Sequence, residues 1–281
     1  MSDAFDADAF NRFEHHGWET NSADAYQEVF GPITSLSIDD LLNDAAVHKG
    51  GRLLDVATGP GYVAGRAGDR GARVTGVDLS EQMLAVARRR HPAIEFIKGD
   101  AEELPFPAGS FDAVVANFGI LHLGRPERAA AGFARVLKPG GRAALTAWDY
   151  PQQCPMVGVI TEAVRASGVV APPSLPAGPD FFRFASESEL STLLREAGLR
   201  DIRVRTLSFE HRISSADALW RGFAEGGVRN RALLMLQPED VRRRIHGEFT
   251  RRLESFRSGE GFKLPVSIKL ASGSKAAGEG Q

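Results

Sequence analysis

The stretch LLDVATGPGYVAG, residues 53–65, decides how the rest of the chain reads. An apolar run ends in Asp55, and glycines follow at 59, 61 and 65. An apolar run this short fits a strand of a parallel sheet, where both faces are covered. Gly59 and Gly61 permit positive φ and let the backbone approach a ligand with no Cβ in the way. A helix beginning just after them would add free N–H groups. The pattern therefore predicts a strand over 51–57, a ligand-facing loop, and a helix from residue 62 that closes at a glycine.

The same alternation continues downstream. Residues 72–80, 94–100, 111–119 and 142–149 read as strands. Residues 80–91 read as a helix stopped by Pro92, and residues 126–141 as a helix stopped by Gly140 and Gly141. Strands alternating with helices imply a parallel sheet with right-handed crossovers. Residues 186–199 then read as a capped helix, 200–213 as an alternating strand, and 262–275 as a last strand, the two strands forming an antiparallel pair near a sheet edge. The proline- and glycine-rich residues 150–185 read as a long irregular connection. The expected fold class is α/β, a Rossmann-like, seven-stranded, mostly parallel sheet with helices on both faces. To it are added an N-terminal helical segment and a helical cap insertion. The expected division is an N-terminal lid over 1–48, a ligand-binding core over 49–150, a linker and further sheet over 151–213, the cap insertion over 214–260, a final strand over 261–275, and a disordered tail over 276–281.

In an open parallel sheet, ligands bind beyond the carboxyl ends of the strands, near the point where strand order reverses. Three acids end three successive strands here. Asp55 suits a ligand with an ammonium or sulfonium. Asp78, in GVDLS, can take both hydroxyls of a ribose, at roughly 1.5–3 kcal/mol for each hydrogen bond to a charged group. Asp100, in KGDAEELPF, can accept from an exocyclic amine such as adenine N6. A cationic end, a ribose and an adenine together describe S-adenosylmethionine. The spacing Gly59-x-Gly61-x-x-Ala64 also matches a dinucleotide fingerprint, so an NAD(P)-dependent oxidoreductase is the alternative. That alternative does not explain Asp100.

Five stretches carry a family resemblance: LLDVATGPG (53–61), VTGVDLSEQML (74–84), GDAEELPF (99–106), FDAVVANFGILHL (111–123) and VLKPGGRAALTAW (136–148). In this order and spacing they resemble class I SAM-dependent methyltransferases of the UbiE/MenG-like small-molecule type. The resemblance implies that Asp55, Thr58, Gly59 and Gly61 shape the methionine end of the cofactor. It implies that Asp78 holds the ribose, that Leu79 and Met83 pack near the adenosine, and that Asp100 and Ala101 meet the adenine edge. Asn117 and Phe118 would flank the methionine part. Ala57 and Thr58 depart from the pattern, standing where many relatives have glycine or cysteine. The implied reaction is in-line methyl transfer from S-adenosyl-L-methionine, with S-adenosyl-L-homocysteine as product. The implied acceptor is a small molecule: quinone-like, a polyketide or another secondary metabolite. A non-methylating SAM-binding protein of the same fold would carry the same ligand residues.

His122 follows the fourth strand and so falls near the transferred methyl. It is either a general base, a role open to an imidazole, or a residue packed behind the loop. His15, His16 and His211 are further candidates. Trp18 and Tyr26 either close over the site or simply pack. Phe182 in PDFFRF, and Trp220 and Phe223 in LWRGFAEGG, either line an apolar acceptor site or form a small core under the cap. No grouping of histidines and acids has metal-ligand spacing. The net charge of −2 supplies no field for nucleic acid or a membrane surface. NFGI after the fourth strand also lacks the Asn/Asp-Pro-Pro-aromatic element of amino-methylating enzymes. The single cysteine, Cys154, excludes an internal disulfide. MSDAFDADAF lacks the basic start and apolar run of a secretory signal, and no apolar run approaches the roughly 18 residues of a membrane span. The expectation is a cytoplasmic monomer or homodimer.

Overall fold

A computed structural model describes residues 5–20, 23–172 and 174–278. The first four residues of MSDAFDADAF and the last three of the expected tail lie outside the described residues.

Three helices come first: α1 (Ala7–Thr20), α2 (Ala23–Thr34) and α3 (Ile38–Asp44). The alternating core follows as β1 (Arg52–Val56), α4 (Tyr62–Asp69), β2 (Arg73–Asp78), α5 (Glu81–Arg90), β3 (Glu95–Lys98), β4 (Phe111–Asn117), α6 (Pro126–Val136) and β5 (Leu137–Trp148). The chain then forms α7 (Pro155–Ala166), α8 (Glu187–Glu196), β6 (Arg200–Ile213), α9 (Ala216–Glu225), α10 (Val228–Met235), α11 (Glu239–Leu253), β7 (Arg257–Ser258) and β8 (Gly261–Ser274). The sheet order is β3-β2-β1-β4-β5-β8-β6, with the two-residue β7 beside β8. Strands β1 to β5 pair in parallel, and β8 is antiparallel to β5, β6 and β7. This is the Rossmann-like, mostly parallel sheet expected from the sequence, with the antiparallel pair at its edge.

Local chemistry explains most boundaries. β4 is buried on both faces because Ala113, Val114, Val115 and Ala116 leave it no polar side. Ser80 caps α5 by accepting from the Met83 N–H at 3.3 Å, and Ser186 and Ser215 do the same for α8 and α9. Two expectations need correction. The helix from residue 126 ends at Val136 rather than at the glycine pair. Pro139 has no N–H to donate and disfavours helical Lys138, so Leu137 already pairs with Phe111 at the start of β5. The connection over 150–185 is not irregular throughout, because α7 occupies much of its first half. Pro155 sits in the first turn, and Met156, Val157, Val159, Ile160 and Ala163 give it a buried face.

The strand order reverses at β1, which lies between β2 and β4. The loops beyond β1 and β4 therefore diverge and leave a crevice at the carboxyl edge of the sheet. α1, α2 and the α9–α10 pair lie over that edge.

Candidate active site

Two adjoining cavities occupy this edge. The first is a cleft of ≈ 880 Å³, its open mouth included. The second is a chamber of ≈ 1280 Å³ on the same measure. Trp18, Tyr26, Phe118 and His122 line both and form their common boundary.

The cleft is built from strand ends. Gly59 lines it with φ +54, and a Cβ there would meet nothing within 4 Å, so bare backbone faces the open space. Gly61, at φ +81, sits behind the loop against Ala87, His91 and Phe96. Asp78 lines the cleft while its Oδ2 accepts from the Gly59 N–H at 2.8 Å and its Oδ1 from the Ser80 N–H at 2.9 Å. Burial pushes the Asp78 carboxyl up from its ordinary range, and these N–H groups partly offset that. Leu79, Met83, Asp100, Ala101, Asn117 and Phe118 also line the cleft. Asp100 keeps one oxygen on the Glu102 N–H at 2.8 Å. Asn117 is anchored by Thr34, Ser37 and Thr146. This set fits S-adenosylmethionine: a carboxylate at the tip of β2, an acid beyond the tip of β3, and open backbone beyond the tip of β1.

Asp55 requires a correction. Its side chain does not face the cleft. It is 1% exposed, its Oδ2 accepts from the Thr58 hydroxyl at 2.6 Å, and its Oδ1 has no partner. Burial pushes its pKa to about 7. Asp55 and Thr58 thus hold the loop from below, because the turn at Ala57 (φ +54) folds the chain back over them.

The chamber is mainly apolar. Phe30 of α2, Val157 and Ile160 of α7, and Phe181, Phe182 and Phe223 are among its walls. Phe118 stacks on Trp148 with ring centroids 4.2 Å apart. Trp220 is absent from both cavities and packs instead on His246 and Phe249, so it departs from its expected place. It occupies a neighbouring helical position to Phe223 but points off that face. His15 lies near Glu19 at 3.6 Å and His211 is on the edge strand β6. Neither these nor His16 reaches a cavity.

On the cleft side of the common boundary stands a group the sequence reading missed. Glu14, on α1, is 2% exposed. Its Oε2 lies 3.1 Å from His122 Nδ1 and accepts from Trp18 Nε1 at 3.2 Å, while its Oε1 is buried with no partner. A carboxylate facing Nδ1 favours the tautomer with the ring proton there, which leaves the lone pair on Nε2. The Trp18 ring stands edge-on to the imidazole at 5.1 Å. The i, i+4 spacing of Glu14 and Trp18 on one helix was the available signal.

Residues 54–145 match the methyltransferase domain family. The chain is 36% identical over 186 residues to the demethylmenaquinone methyltransferase of Renibacterium salmoninarum, covering 63% of this chain and 76% of the relative. The chain belongs to the UbiE/MenG-like family of class I SAM-dependent methyltransferases. This methyltransferase is an enzyme that uses S-adenosylmethionine and acts on small molecules. Its fold is also that of phosphoethanolamine N-methyltransferase 2 of Haemonchus contortus, solved with S-adenosylhomocysteine (TM-score 0.56, 20% identity, 95% of this chain and 60% of that one). The [4+2]-cyclase SpnF shares the fold as well (TM-score 0.51, 22% identity, 87% and 81% covered). No helix among the described residues is long and apolar enough to cross a membrane.

Proposed function

We propose that the enzyme methylates an apolar hydroxy-aromatic acceptor of the quinol kind, with His122 taking the hydroxyl proton. The observation that carries this reading is the Glu14–His122 pair at the boundary between cleft and chamber. Similarity to demethylmenaquinone methyltransferases supports a quinol-like acceptor. The apolar lining of the chamber favours a small molecule over nucleic acid, and the single buried Cys154 suits a reducing, cytoplasmic setting.

In this reading the cleft holds the cofactor. Asp78 binds the ribose, Asp100 and Ala101 meet the adenine, Leu79 and Met83 pack on the adenosine, and Gly59, Asn117 and Phe118 border the methionine part. Asp55, Thr58 and Gly61 hold the loop that does so. S-adenosylmethionine supplies an electrophilic methyl on a sulfonium. The chain's own part is alignment, exclusion of water and one proton transfer. Trp18 and Tyr26 border the reacting end. The Tyr26 hydroxyl, pushed by burial to about 12, stays a neutral phenol. The hydroxyl proton of the acceptor passes to His122 Nε2, and the oxyanion attacks the methyl and displaces S-adenosylhomocysteine with the electron pair of the broken sulfur–carbon bond. Glu14 holds the imidazole and stabilises it once protonated. Alignment can supply roughly 7–11 kcal/mol of the barrier, and the base a further factor of about 10² to 10⁴.

The test is methyl transfer to 2-naphthol under single-turnover conditions. His122→Asn is expected to lower the rate by about 10² to 10⁴ at pH 7 while leaving S-adenosylhomocysteine affinity unchanged. Glu14→Gln is expected to lower it less and to alter its pH profile. An undiminished rate in His122→Asn would remove the base assignment.

A further inference from the structure

Arg229 lies in the first turn of α10 and lines the chamber but not the cleft. Its Nη1 donates to the Pro176 carbonyl at 3.1 Å, and its guanidinium carbon lies 5.4 Å from the centre of the Phe10 ring. A guanidinium carries five N–H donors, so one carbonyl and one ring face leave most of its capacity unused. Two other half-buried arginines are differently placed. Arg183 pairs with Glu127 and Glu189, and Arg205 with Asp40 and Asp44. Among the described residues, no carboxylate forms an ion pair with Arg229 and none lines the chamber. Burial pulls the Arg229 pKa down, and the charge of Glu14 opposes that.

A cation among apolar walls is costly unless an anion joins it. The chain supplies none on this wall, although it pairs Arg183 and Arg205 with two carboxylates each. The charge must therefore be met from outside or remain a liability. A planar guanidinium matches an acidic oxygen pair best, through two parallel N–H donors. His122 stands on the boundary with the cleft, whereas Arg229 stands beyond it. An acceptor with its hydroxyl at His122 has the rest of the chamber for its other end, and Arg229 is among the residues that line it.

We propose that Arg229 binds an anionic group, a carboxylate in the simplest case, at the end of the acceptor remote from the methylated position. The substrate class is then an apolar hydroxy-aromatic acid rather than a neutral phenol. This rests on the chamber being the acceptor site, as set out under the proposed function.

The experiment is calorimetry on the full chain saturated with S-adenosylhomocysteine at pH 7. The probes are 6-hydroxy-2-naphthoate and 2-naphthol, which differ only in a carboxylate at the far end. The wild type is expected to bind the acid at least tenfold more tightly. Arg229→Met is expected to bring the two within about twofold by weakening the acid alone. Equal affinities in the wild type overturn the proposal, as does a preference that survives in Arg229→Met or a failure of both probes to bind. The wild-type comparison requires no variant, so a misfolded Arg229→Met leaves the proposal exposed to refutation. Transfer to 2-naphthol that depends on His122, without a preference for the acid, removes the Arg229 proposal and keeps the proposed function. A preference that depends on Arg229, with transfer indifferent to His122, does the reverse.

Discussion

The cleft and the chamber share four side chains but are built by different means. The cleft comes chiefly from residues 57–123, where four strand ends meet solvent at one edge. The chamber draws on helices α2, α7, α9 and α10 and on the chain near Phe181, segments far apart in sequence. A strand end is fixed by sheet topology, so its loop has a defined place whatever it binds. A wall made of helix faces depends on how those faces pack. The cleft also bears the backbone strain. Ala57 and Phe118 have φ of +54 and +61, and Asp55 is buried beneath the loop. Among the chamber's walls only Phe118, on the shared boundary, has such a backbone.

If the cleft is the strained half, relieving its strain should raise stability without touching the chamber. The largest effect is expected at Asp55. Its folded-state pKa, about 7 against an ordinary 3.8, is raised. Its stabilising contribution is therefore fully present below about pH 4 and lost as pH rises through 7. By linkage the loss is about 4 kcal/mol. Asp55→Asn keeps an oxygen for the Thr58 hydroxyl and removes the titration. Urea unfolding should then find the variant's advantage growing from pH 4 to pH 7. A constant difference across that range would mean that Asp55 does not carry the buried charge.

A smaller effect is expected at Ala57. A left-handed conformation costs a non-glycine residue roughly 1–2 kcal/mol, and Gly119 leaves room beside it. Ala57→Gly should raise the unfolding free energy by up to about 1 kcal/mol, the added chain entropy of glycine offsetting part of the relief. Denaturant midpoints check this, and a lower midpoint would show that the turn is not strained. Affinity for 2-naphthol should stay the same in both variants.

The two regions also differ in how far the sequence disclosed them. β1 to β4, and the acids at the ends of the first three, were legible because an apolar run followed by an acid or glycine is a local pattern. The boundary at Val136 was misread because the glycine pair is a stronger visual stop than Pro139, which acts through the residue before it. α7 was hidden by prolines and glycines on either side, although its own residues have helical periodicity. Asp55 has the identity expected of a ligand residue, but the positive φ at Ala57 turns the chain over it, and no sequence pattern reports that turn. Glu14 was missed because its partner, His122, lies 108 residues away. Trp220 and Phe223 looked equivalent as aromatics of one helix, and only packing separates the one that faces the chamber.

The central claim is that the strand-end acids form a cofactor cleft distinct from the acceptor chamber. Calorimetry of S-adenosylhomocysteine and of 2-naphthol on Asp78→Ala tests it most directly. Losing two hydrogen bonds to a charged group should weaken S-adenosylhomocysteine by about 100-fold or more, with 2-naphthol affinity unchanged. Unaltered S-adenosylhomocysteine affinity, or an equal loss for both ligands, would contradict it.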